Sequence, residues 1–219
     1  MFWLLILAHF VADYPLQPGW LVQAKRRLPG LTFHVAIHLL LMFVVSIGRW
    51  RVAWPYLLIL ALIHFGLDFG KNQLALYKPT WIILPYLLDQ VLHILSIGLI
   101  ASWIDQRPGL ALEAPLHSPA IIYSIGYLLA TYVWFITERI LVHANPAYRQ
   151  EVNVQFWPRM VTRSALLTCL LLISNGWLAA LIASSLFPWP YLSGHYRRRA
   201  LLTDIGVVLV TWVFILWVR

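Results

Sequence analysis

The stretch ILAHFVADYPLQ, residues 6–17, sets His9 and Asp13 four positions apart in a greasy run, and HFGLDFGK, residues 64–71, repeats the arrangement with His64 and Asp68. Residues four apart share one face of a helix. Each stretch therefore reads as an apolar helix carrying an imidazole and a carboxylate on one side. Between and after them lie HVAIH, with His34 and His38, and DQVLH, with Asp89 and His93, at the same spacing.

The surroundings decide the solvent. Of 219 residues, 61% are hydrophobic and only 11% charged, against roughly half and a quarter in a soluble domain. A helix needs about 20 mostly apolar residues to cross a bilayer. Breakers divide the chain into about seven such segments, 2–16, 31–47, 54–76, 81–103, 119–143, 161–187 and 200–218. The expected fold class is all-α, a polytopic transmembrane helical bundle. A duplicated region over 1–103 carries the polar residues, and a three-helix region follows over 119–219. Trp54, Trp81, Trp103, Trp157 and Trp189 fall near segment ends, as in interfacial belts.

The formal net charge is +8, but its lysines and arginines sit in short loops, as in AKRR at 24–27 and HYRRR at 195–199. Such clusters set topology and meet anionic headgroups, so the expected partners are membrane lipids, or a larger membrane complex, and not nucleic acid. Basic residues in alternate loops favour an outside N-terminus, against the HYRRR cluster. The single Cys169 excludes an internal disulfide and reads as a packing residue. A cleaved signal peptide is not expected at residues 1–13, which lack a basic start and a small-residue cleavage site.

Aligned with itself at an offset of fifty-five, the chain matches His9 to His64, Phe10 to Phe65, Asp13 to Asp68, His34 to Asp89, His38 to His93 and Gln17 to Asn72. Segments one and two thus read as a copy of three and four, parallel and related by an axis along the membrane normal. Helix direction alternates, so the four pairs fall toward one side of the membrane and can converge.

Ionisable groups cost about 2.5 to 3.5 kcal/mol each at mid-bilayer, so they gather against each other, water or a metal. Five of the eight His and three of the five Asp occupy these eight positions. Imidazole and carboxylate without thiolate suit Zn, Fe or Mn. The expected cofactor is therefore a divalent metal, with room for two ions, held by His9, Asp13, His34, His38, His64, Asp68, Asp89 and His93. Gln17, Asn72 and Gln90 are expected to orient ligands or water, and Lys25 and Lys71 to hold an anionic headgroup or phosphate. Such a site reads first as a hydrolase acting on a lipid or lipid-linked phosphate or ester, with a metal-activated water as nucleophile. The alternatives are a haem- or pigment-binding subunit of a membrane complex and an ion- or proton-coupled transporter. His117, His143 and His195 fall outside the register and read as solvated. Glu138 is expected to pair with Arg163 or reach the site, and Asp204 to answer the neighbouring arginines.

These motifs, LLAHxxADFxLQ, a lysine, HxxxH, HxxxD followed by K, and DQxxH, resemble a family of bacterial integral membrane proteins known as a domain of unknown function. The resemblance covers about residues 4–96 and implies a multi-pass protein of the bacterial inner membrane. HFGLD is similar, more remotely, to the HxxxD element of membrane-bound metal-dependent hydrolases, which implies hydrolysis without naming a substrate.

Overall fold

The computed structural model describes residues 1–107, 119–172 and 198–219. They form two compact units, Met1–Ile121 and Ile122–Arg219. Among the described residues every regular element is helical.

The first unit contains α1 (Phe2–Asp13), α2 (Gly19–Ala24), α3 (Leu28–Val45), α4 (Trp50–Tyr77) and α5 (Ile83–Asp105). Pro15 and Pro18 stop α1, because proline lacks the amide that would continue the ladder. The chain then makes the six-residue α2 and enters α3 through Leu28, Pro29 and Gly30, with proline in the first turn, where its missing donor is harmless. A Cβ on Gly30 would collide with the backbone carbonyl of Ala24, so the absence of a side chain lets α2 fold tightly against α3. Between α3 and α4 the reversal uses Gly48 at φ +87°, a left-handed conformation that glycine adopts without strain.

Consecutive long helices pack side by side, α1 on α3, α3 on α4 and α4 on α5, and α1 also packs on α5, closing a four-helix ring. Its polarity is inverted relative to a soluble bundle. Leu40, Leu62 and Leu95 are 63%, 71% and 62% exposed, while His34 and Asp68 are 0% and 2% exposed. Water would reject that exterior, and hydrocarbon accepts it.

The second unit holds α6 (Pro119–Leu128), a π-helical turn (Leu129–Val133), α7 (Trp134–Leu141), α8 (Pro146–Val154), α9 (Phe156–Leu171) and α10 (Arg198–Val218). Asn145 caps α8 by accepting from the Tyr148 amide. α9 and α10 pack together and both meet the π-helical turn.

Among the described residues five helices are long and apolar enough to cross a membrane: Leu28–Val45, Trp50–Tyr77, Ile83–Asp105, Pro119–Leu141 and Arg199–Val218. The first expected segment forms a helix of only 12 residues, about 18 Å long and too short to cross unaided. Of the sixth, residues 173–187 lie outside the described residues, as do Trp189, His117 and His195.

Candidate metal centre

The ring brings all eight expected residues together, each at most 9% exposed. α1 supplies His9 and Asp13, α3 supplies His34 and His38, α4 supplies His64 and Asp68, and α5 supplies Asp89 and His93. Helical periodicity aims each pair inward and ring closure makes the four faces meet.

Asp13, His34, His38 and His64 each offer a ligand atom within 4.8 Å of the others, and Asp68, Asp89 and His93 do the same. In the first group Asp13 Oδ1 lies 3.1 Å from His34 Nε2 and 3.2 Å from His38 Nε2. His34 Nε2 lies 3.4 Å from His64 Nε2. Bonds of 2.0 to 2.1 Å to a tetrahedral ion give ligand-to-ligand edges of about 3.3 to 3.4 Å. The observed separations are of that size.

Hydrogen bonding alone accounts poorly for His34. Its Nε2 meets Asp13 Oδ1 at 3.1 Å, Asp68 Oδ2 at 3.4 Å and His64 Nε2 at 3.4 Å. A neutral imidazole nitrogen carries one proton or one lone pair, never enough for three partners. A cation at the centre would take lone pairs from all of them.

The second group already has a positive charge inside it. Lys71 Nζ lies 2.6 Å from Asp68 Oδ1 and 2.7 Å from Asp89 Oδ2. Lys25 Nζ lies 3.3 Å from Asp68 Oδ2. Both lysines are thus paired with carboxylates of the cluster itself. With neutral histidines, three carboxylates and two ammonium groups sum to −3 + 2 = −1. The cluster retains a negative charge that a cation would offset.

An outer layer holds these groups in place. Gln90 donates to Asp89 Oδ2 at 3.2 Å and accepts from the Tyr14 hydroxyl at 3.0 Å. Gln17 donates to the Asp13 carbonyl and Asn72 to the Lys25 carbonyl. Gln17 and Asn72 therefore hold backbone, whereas Gln90 holds a carboxylate. Tyr14 follows Asp13 directly and carries no spacing signal that sequence reading could use.

His9 stands slightly apart, its Nε2 3.4 Å from Asp13 Oδ2. It stacks on His93, ring centroids 5.1 Å apart. With His38, His64 and apolar neighbours these rings line a cavity of about 10 Å³. That is room for about one water. The buried Nε2 atoms of His9 and His93 have no hydrogen-bond partner.

The second unit buries its own charges. Arg159 donates through Nε and Nη2 to Asp204, at 3.1 and 2.6 Å, and through Nη1 to Glu138 at 3.0 Å. Burial and the Glu138 carboxylate raise the Tyr148 phenol above its usual value, keeping it a donor to Glu138 at 3.0 Å. Glu138 thus pairs with Arg159 rather than with Arg163, because Arg163 turns to the π-helical turn, where its Nη1 donates to the Ala130 carbonyl at 2.9 Å. Asp204 answers Arg159 and also lies 3.4 Å from Arg163 Nε, while Arg197 lies outside the described residues. Arg159 and Arg163 read in the sequence as topology-setting charge, yet both are buried. Their i, i+4 spacing, the signal that marked the histidine pairs, was the available clue. His143 is half-buried, and its Nδ1 lies 3.0 Å from the Ile140 carbonyl.

A family model described as "Protein of unknown function (DUF3307)" matches residues 1–115, more than half of the chain, and the chain belongs to that family. No curated protein and no solved structure matches it.

Proposed function

We propose that this member of the DUF3307 family is a metal-dependent membrane hydrolase with one divalent ion, Zn, Mn or Fe, bound by Asp13, His34, His38 and His64. The observation that carries the reading is the meeting of three polar atoms around His34 Nε2 at 3.1 to 3.4 Å. Among N/O donor sets, three imidazoles and one carboxylate suit these metals. Such an ion would supply Lewis acidity and, only in a position beyond the four protein ligands, a more acidic water.

The protein's own groups divide the remaining work. Asp68, beside His34 and His64, is placed to accept a proton from water at the centre. The Tyr14–Gln90–Asp89 chain fixes one of the two carboxylates that pair with Lys71. Lys71, 25% exposed, stands at the least enclosed edge of the cluster and would meet an anionic ester entering from the headgroup region. A lipid or lipid-linked phosphate of the bacterial inner membrane is the substrate class this arrangement fits. The offset of fifty-five supports reading α1 and α3 as a copy of α4 and α5, with the ion shared between three ligands of the first copy and His64 of the second. Haem is disfavoured on space, since the His38 and His64 ring centroids are 3.8 Å apart and a macrocycle cannot enter between them.

Elemental analysis of detergent-purified wild-type protein tests the reading. About one bound ion per chain, lost in His38→Ala, is expected. Metal-free wild-type protein after purification in Zn- or Mn-supplemented buffer would overturn it.

A further inference from the structure

We propose that Lys71 is a tethered cation filling the second metal position of the centre, so that the site works with one ion and one ammonium group. The inference rests on the metal reading above and adds what occupies the other half.

Asp68, Asp89 and His93 form a second set with ligand atoms within 4.8 Å of one another. Two buried carboxylates in such proximity demand a counter-charge. Lys71 Nζ provides it, at 2.6 and 2.7 Å from one oxygen of each. Lys71 lies three residues after Asp68 on the same helix, so the cation arrives with its carboxylate rather than from solution. Asp89 keeps one buried oxygen, Oδ1, without a hydrogen-bond partner. That atom shows a site with more coordinating capacity than an ammonium group uses. His93 Nδ1 lies 2.7 Å from the Asp89 carbonyl. The same nitrogen lies 3.5 Å from Asp89 Oδ1, so His93 is held against both the backbone and the side chain of Asp89.

The assignment changes the chemistry. In a two-metal hydrolytic site the ions share the attacking and leaving oxygens. Here an ion held by Asp13, His34, His38 and His64 would supply the acidified water, Asp68 would take its proton, and the Lys71 ammonium group would offset charge on the leaving oxygen of the ester. The oxygen departs with the electron pair of the broken bond, and the water oxygen replaces it. Neither step requires an oxidant or reductant.

The test is the count of bound Mn²⁺ or Zn²⁺ at saturation, by equilibrium dialysis of the full chain in detergent. About one equivalent is expected for wild type, about two for Lys71→Met, and about one again for Lys71→Met with Asp89→Asn. Lys71→Arg keeps the cation and is expected to stay near one. Lys71→Gln, expected to bind about two equivalents as well, supplies the same measurement if Lys71→Met does not fold. Two equivalents in wild type or in Lys71→Arg, or only one in folded Lys71→Met, overturns the tethered-cation assignment and leaves the metal centre standing. No equivalent in wild type overturns the metal centre itself.

Discussion

At the residue scale the centre turns on single atoms. Asp13 Oδ1 faces both His34 Nε2 and His38 Nε2 at hydrogen-bond distance. His9, though on the same helix face, reaches the other oxygen of Asp13 at 3.4 Å and belongs to the layer that orients this carboxylate. The two kinds of histidine should therefore respond differently. His34→Ala and His38→Ala are expected to lose bound metal. His9→Ala is expected to retain it with affinity lowered about 10- to 100-fold, as for removal of an orienting partner. Competition against a chelator of known affinity measures this. Equal loss in all three variants would place His9 among the direct ligands.

At the scale of the element, helix ends matter as much as helix faces. The tight passage from α2 into α3 carries Lys25 to Asp68, and it depends on the bare backbone of Gly30 against Ala24. Gly30→Ala is expected to push α2 outward and lower the thermal midpoint of the first unit, by an overpacking cost of about 1 to 3 kcal/mol. In the second unit Arg163 donates to the Ala130 carbonyl within the π-helical turn. Arg163→Met is expected to cost about 1 to 3 kcal/mol by leaving that carbonyl unsatisfied, and to raise amide hydrogen exchange across residues 129–133. Unchanged exchange would show that the turn holds without the guanidinium.

On the scale of the whole molecule, two units each bury a charged cluster with a different purpose. Arg159, Arg163, Glu138 and Asp204 balance to zero in charge and pair across helices, which is the signature of structure. The centre of the first unit sets three carboxylates against two ammonium groups and holds buried ring nitrogens without hydrogen-bond partners. Removing Arg159 strands two buried carboxylates, at about 3 to 5 kcal/mol. Arg159→Met is thus expected to lower thermal stability strongly while the folded fraction keeps about one ion per chain, since every ligand lies in the first unit. A differential scan with metal analysis on the same sample checks both halves of that statement.

The sequence by itself determined the class of molecule and which eight polar side chains are buried inside the first unit. Composition dictates a bilayer exterior, and the i, i+4 spacing is a local property of any helix, so His9 with Asp13 or Asp89 with His93 are legible as inward-facing pairs from their spacing alone. The shortness of α1 was legible as well, because Pro15 and Pro18 interrupt its apolar run. Tertiary structure alone decided which charge answers which. Lys71 enters between Asp68 and Asp89, and Arg159 takes both Glu138 and Asp204. Such pairings depend on the rotation and depth of one helix against another and on the reach of long side chains. None of these is fixed by spacing within a single segment.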